Sequence, residues 1–178
     1  MMKRIEKTAL VVVDYQRDFV DGALGFPGAE QLESGIAARI EEELASGGDL
    51  IFTLDTHTDA YMRTHEGKNL PVPHCIRGTD GHRLTDGLLG YADRAVRIFE
   101  KSAFGSPELG AFLTAQGYDR VELCGLVSNI CVLSNAVIAR SALPEAEIVV
   151  DSALTASHDP AAHEAALTVL RGIQIFVK

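Results

Sequence analysis

Six short apolar runs, most of them separated by segments with helical periodicity, set the strongest limit on what this chain can fold into. They are "TALVVVD" (8 to 14), "DLIFTLD" (49 to 55), "AVRIFE" (95 to 100), "RVELCGL" (120 to 126), "EIVVD" (147 to 151) and "IQIFV" (173 to 177). Each has strand length, is rich in Val, Ile, Leu or Phe, and shows little alternation of apolar with polar residues. Such strands are buried on both faces, as in a parallel sheet. The helical segments between them carry end signals. Ser106 caps and Pro107 starts one that stops before Gly117, and Asp159 caps and Pro160 starts another that stops before Gly172. Residues 31 to 46 and 129 to 142 supply two more. The alternation predicts an α/β fold: one three-layer domain over residues 1 to 178, with a six-stranded, mostly parallel sheet flanked by helices.

The 178 residues, 47% of them hydrophobic, suffice for the core of one ordinary domain. With 25 acidic and 16 basic residues the formal charge is -9, and no basic patch relieves it, so nucleic acid is excluded as a partner. No apolar run approaches the roughly 20 residues that span a bilayer, and the first run is too short and too soon acidic for a secretory segment. The expectation is a cytoplasmic protein without a membrane partner. Three cysteines lack the spacing of a disulfide framework and suit a reducing compartment.

Open α/β sheets bind ligands beyond the carboxyl ends of their strands. Asp14 ends the first run, Asp55 the second, Lys101 follows the third, and Cys131 lies a few residues past the fourth at a helix start. Unpaired NH groups at a helix start, with Lys101 nearby, favour a thiolate at Cys131. Asp14 is placed to take the thiol proton if burial raises its pKa. Nucleophile, cation and base therefore share one sheet edge. Cys124, inside a strand, belongs to the core.

The segment from 56 to 93 is a long excursion with little periodicity, and such connections are usually functional. It opens with "LDTHTDAYMRTHEGKNLPVPHC" (54 to 75), which holds three of the six histidines. Asp55 and His57, two apart at a strand end, point the same way. With Glu66 and the proline-held His74 they form a donor set suited to zinc, iron or manganese. His82, His158 and His163 have no such company and read as solvated or packed.

On these residues the chain resembles the isochorismatase-like cysteine hydrolases, which have a Rossmann-like fold, and among them the nicotinamidase branch. The matching pieces are "VVVDYQRDFV" (11 to 20), "LDTHTDAYMRTHEGKNLPVPHC", "EKSAFGS" (100 to 106) and "LCGLVSNICVLSNA" (123 to 136). The resemblance implies a catalytic triad of Asp14, Lys101 and Cys131. It also implies a cis peptide before Ser128 and an oxyanion hole from the backbone NH groups of Val127 and Cys131. It implies a divalent metal, zinc foremost, on Asp55, His57, Glu66 and His74; the nine-residue step from His57 selects Glu66 over His65 as third ligand. Phe19 matches the aromatic that packs on the substrate ring. Pro71 stands where nicotinamidases commonly carry a second aromatic, and Phe104 is the replacement wall. The implied activity is hydrolysis of a small amide, foremost nicotinamide, to the acid and ammonia through a thioester, in a homo-oligomer. The alternatives are another small amide or N-carbamoyl compound, the family's vinyl-ether hydrolysis, and last a non-enzymatic binding module.

Overall fold

The computed structural model describes residues 6–178; residues 1–5 of the expected domain lie outside the described residues. The strands are β1 (Thr8–Val13), β2 (Asp49–Asp55), β3 (Arg97–Lys101), β4 (Arg120–Leu126), β5 (Glu147–Ala156) and β6 (Phe176–Val177). They form one sheet in the order β3-β2-β1-β4-β5-β6, and all five ladders are parallel. The expected mostly parallel sheet is thus parallel throughout. The helices of more than one short turn are α2 (Glu33–Ala45), α5 (Pro107–Gln116), α6 (Leu133–Ala142) and α7 (Pro160–Gly172); α1 (Arg17–Val20), α3 (His65–Asn69) and α4 (Asp86–Leu89) are brief.

The three layers follow from the unalternated strands. In β1, Ala9, Val11 and Val13 join a core with Leu109 and Leu113 of α5, Ala136 and Ala139 of α6, and Leu167 and Leu170 of α7. Leu10 and Val12 point the other way, into a second core with Ile36 and Ile40 of α2. A strand whose two faces are both covered needs apolar residues at every position. The cap signals work as expected: the Ser106 hydroxyl accepts from Leu109 N, and Asp159 accepts from Ala161 N and Ala162 N.

Element ends shift by one or two residues from the sequence reading at β1, β3 and α2, and three departures are larger. β5 runs on to Ala156, because a register shift opposite Leu123 and Gly125 lets Thr155 and Ala156 pair again beyond the polar "DS" that interrupts the apolar pattern. β6 is reduced to two residues, because Ile173 still caps α7 and Gln174 turns with positive φ. Residues 128 to 132 form a single π turn ahead of α6 instead of the expected α-helical start.

Strand order reverses between β1 and β4, so their carboxyl ends flank the switch point where open α/β sheets bind ligands. The strands close tightly there. Gly125 sits at φ 107, and a Cβ on it would collide with the Val13 carbonyl. At mid-sheet a buried charge cluster ties β4 to the second face. Glu122, fully buried, meets Arg39 of α2 at 3.0 Å, Arg120 at 2.8 Å and Lys178 at 2.8 Å. Burial alone would raise its pKa, but these cations bring it down to about 2. A depressed carboxylate stabilises the fold above its free pKa near 4.5 and loses that contribution as pH falls toward 2. Glu122→Ala should cost about 3 to 5 kcal/mol at neutral pH, read as a lower urea midpoint with unchanged slope. The cost should shrink below pH 4. A change under 1 kcal/mol would show that the cluster is solvated.

Candidate active site

β1, β2 and β3 end side by side, and each delivers one charged group. Asp14 leaves β1 in the left-handed region at φ 47, a conformation that Asp tolerates better than most residues. Its backbone N donates to Thr53 O at 3.1 Å and its Oδ1 accepts from the Thr53 hydroxyl at 2.6 Å. The other oxygen, Oδ2, pairs with Lys101 Nζ at 2.6 Å. Lys101 also reaches Ala103 O at 3.0 Å, Asp55 Oδ1 at 3.5 Å and Cys131 Sγ at 3.6 Å. Asp14, Lys101 and Cys131 are all buried, at 0, 4 and 5% exposure. The sequence-expected nucleophile, base and cation are therefore brought together.

The electrostatics agree with that reading for the base and correct it for the thiol. Burial raises the Asp14 pKa above its ordinary value against the pull of Lys101, with Asp55 adding to the rise. Lys101 is held above the ordinary lysine range: burial opposes its charge, but Asp14, Cys131 and Asp55 outweigh burial. Cys131, expected to be depressed by a helix start, lies instead well above the ordinary thiol value, because burial and the Asp14 carboxylate outweigh Lys101. A π turn, wider than an α turn, also replaces the regular helix start on which that expectation rested. Burial and the Asp14 carboxylate both favour the neutral thiol over the thiolate. The cis peptide needs a correction too: it joins Leu126 to Val127, one residue before the expected place. The Val127 carbonyl already accepts from Ile130 N and Val132 N, so the peptide into Ser128 belongs to the helical turn and is trans.

The second cluster adjoins the first through Asp55. Asp55 Oδ2 is 3.0 Å from His57 Nε2 and 3.2 Å from His74 Nε2, while Oδ1 faces Lys101. Glu66 Oε1 lies 3.7 and 3.5 Å from the same two nitrogens, and all four donor atoms fall within 4.8 Å of one another. A parallel bridge between His57 and Ile76, with His57 N donating to Cys75 O, returns the excursion to its starting point and delivers His74. Glu66 and His65 are adjacent on α3, so one helix turn cannot aim both inward. Glu66 faces the cluster; His65 lines an outer cavity.

The donor set fits a divalent cation. His74 Nδ1 donates to Val72 O at 2.8 Å, which leaves Nε2 as the ligating nitrogen. Two carboxylates and two imidazole nitrogens then converge, and among the described residues the cation that meets them is Lys101, on the far oxygen of Asp55. Only a proton or a metal relieves such a set, and His74 accordingly has a raised pKa, burial being outweighed by Asp55, Val72 and Glu66.

A cavity of about 440 Å3 joins the two clusters, with Cys131, Asp55, Glu66 and His74 in its wall. Phe19 lies against His74, ring centroids 5.6 Å apart, and also lines the cavity, as do Val127 and Phe104. Leu70, not Pro71, fills the neighbouring stretch of wall. Sequence reasoning missed the braces. Gln16 Nε2 donates to Asp55 O at 2.9 Å and its Oε1 accepts from Asp55 N at 2.7 Å. Asp18 Oδ2 accepts from Cys75 N at 2.7 Å, and Asn135 donates to Cys131 O and Phe104 O and accepts from Ser106 N. Asn135 carried a signal, a polar residue between apolar neighbours in "VLSNAV", whereas Gln16 and Asp18 sit in the polar "DYQRD" and carried none. His158, expected to be solvated or packed, lines the cavity mouth beside Phe26; His82 bonds Thr56 and His163 bonds Ser128.

The Isochorismatase domain family matches residues 8–178. The chain belongs to the isochorismatase family. A family member of Bacillus subtilis, PncA, is 32% identical over 174 residues, covering 91% of this chain and 93% of its own. The crystal structure of nicotinamidase PncA from that organism superposes with a TM-score of 0.84 at 31% identity, over 96% of this chain and 98% of its own. The pyrazinamidase of Pyrococcus horikoshii, solved in complex with zinc, gives 0.84 at 26% identity, over 97% and 98%. A protein of Arabidopsis thaliana described as a probable inactive nicotinamidase is 27% identical over 184 residues, covering 98% of this chain and 93% of its own. Within the family, the likeness is to the nicotinamidase branch of hydrolases.

The charge arrangement makes a prediction independent of substrate. Asp14 raises the Cys131 pKa, so Asp14→Asn should shift the pH dependence of Cys131 alkylation by iodoacetamide to lower pH, and Lys101→Met should shift it higher. Rates followed by peptide mass mapping read this directly. An unchanged profile in Asp14→Asn would mean that carboxylate and thiol do not interact.

Proposed function

We propose that the protein is a metal-dependent cysteine amidohydrolase that converts a small neutral amide, nicotinamide foremost, to the carboxylic acid and ammonia. The observation that carries the reading is a buried thiol, carboxylate and ammonium in contact at the sheet's switch point, beside a four-ligand cluster on one shared cavity. The relatives named as amide hydrolases support the same class.

The steps balance on Asp14. It takes the Cys131 proton as sulfur attacks the amide carbon, while the Val127 and Cys131 NH groups receive the oxyanion. It returns that proton to the amide nitrogen, ammonia leaves, and a thioester remains on Cys131. Asp14 then takes a proton from water, whose oxygen attacks the thioester; the C–S bond breaks, the proton on Asp14 goes back to sulfur, and the product departs as the carboxylic acid, which ionises in solvent. Lys101 stays charged throughout and faces whichever of Asp14 or Cys131 carries the negative charge. Asp55, His57, Glu66 and His74 hold the cation, which when bound supplies a Lewis-acid contact for a ring nitrogen. Phe19 and Phe104 bracket the ring.

Nicotinamide and benzamide share ring and amide but differ in the nitrogen. Ammonia release should favour nicotinamide by about 100-fold or more, because a site built around a polar contact rejects a ligand lacking it. Equal rates, or turnover of aliphatic amides or carbamoyl compounds alone, would remove nicotinamide and leave the cysteine hydrolase. Elemental analysis locates the third ligand: Glu66→Ala should lose bound divalent metal, whereas His65→Ala should keep it. The reverse outcome would move the ligand to His65, and no loss in either would make the cluster a polar loop.

A further inference from the structure

The cavity that holds Cys131 has a neighbour. Its volume is about 700 Å3, and the two share Glu66, Leu70, Phe104 and Ile130 in their walls. Each alone falls within the roughly 300 to 1,000 Å3 of sites that hold drug-sized ligands, more room than a one-ring amide needs. The partition between them is apolar and exposed: Leu70 and Phe104 are 37 and 49% accessible, and neither joins either core. His57 and Glu66, members of the ligand cluster, line the second cavity, so that space reaches the cluster.

Apart from Glu66 and the two histidines His57 and His65, the second cavity is lined by apolar and by uncharged polar side chains. Thr58, Ser102 and Asn69 line it. Thr58 Oγ1 accepts from Ala60 N and Asn69 Nδ2 donates to His65 O, which leaves the Thr58 hydroxyl proton and the Asn69 carbonyl free to bond a ligand. Among the described residues, no Arg or Lys lines either cavity, whereas Asp55 and Glu66 do. At the Thr58 and Asn69 end, away from the ligand cluster and the cation proposed for it, an anionic group would lose its hydration without gaining a cationic side chain.

We infer that the preferred substrate is an uncharged amide larger than one ring, its carboxamide at Cys131 and its distal hydroxyl- or amide-bearing part passing between Leu70 and Phe104 into the second cavity. This rests on the amidase reading and deepens it, because it separates neutral extended amides from carboxylate-bearing carbamoyl compounds.

The test measures ammonia release from nicotinamide, from nicotinamides carrying a neutral hydroxyalkyl group at each open ring carbon, and from their carboxyalkyl counterparts. At least one neutral extended amide should exceed nicotinamide in kcat/KM by about 10-fold or more, and should exceed its carboxylate counterpart by a similar factor. Asn69 is exposed and touches only the second cavity, so Asn69→Trp should erase the gain and leave nicotinamide turnover unchanged. Asn69→Arg should raise kcat/KM for the carboxylates. If nicotinamide is hydrolysed but no extended amide surpasses it, or if Asn69→Trp leaves the gain intact, the second subsite is overturned and the amidase stands. If instead Asn69→Trp only abolishes self-association, the groove is an interface between copies and the inference fails. If no amide releases ammonia, the amidase reading falls and takes this one with it.

Discussion

The ion pair between Asp14 and Lys101 is the interaction on which the site depends. At 2.6 Å and almost wholly out of water, neither charge is tolerable without the other, since removing one partner of a buried pair leaves an uncompensated charge. The two residues end strands that are not neighbours: β2 lies between them and contributes Asp55, so the lysine of edge strand β3 reaches across to a carboxylate on β2 and another beyond β1. That bridge fuses the thiol site and the ligand cluster into one electrostatic unit. In the proposed chemistry the proton moves from sulfur to Asp14 and the negative charge moves the other way, so the sum around Lys101 does not change. A buried site tolerates such an exchange because no net charge enters or leaves a poorly solvating interior.

The surrounding braces have the same logic in neutral form. Gln16 holds the Asp55 backbone on both sides of its peptide, Asp18 pins Cys75 next to His74, and Asn135 fastens the Cys131 turn to the loop that carries Phe104. Each is a buried or half-buried polar group whose bonds run to backbone, which fixes loops that would otherwise move relative to the strand ends. Loop positions beyond the sheet are thereby held nearly as firmly as strand positions.

Much of this was legible in the sequence for a physical reason. Doubly buried strands lack alternation, so β2 and β4 could be read residue for residue, and the Ser106-Pro107 and Asp159-Pro160 signals fixed two helix starts. The side chains that meet in the two clusters could be picked out in part because ionisable groups are rare at the ends of doubly buried strands, where Asp14, Asp55 and Lys101 stand. What the sequence hid were effects of tertiary pairing: β5 continuing past a polar break, a π turn replacing a helix start, and the cis bond displaced by one residue. The direction of the Cys131 shift was hidden as well, because it is set by burial and by a carboxylate 117 positions away along the chain, neither of which a local motif reports.

The central claim is that Cys131 forms a covalent bond to the acyl group while Asp14 and Lys101 manage one proton. Acid quenching during turnover of an accepted amide, followed by peptide mass mapping, tests it most directly. The account predicts the acyl mass on the Cys131 peptide and nowhere else, together with a loss of several orders of magnitude in rate for Cys131→Ala, since members of such a unit fail together. Steady turnover with an unmodified Cys131, and a Cys131→Ala variant close to the parent rate, would contradict it.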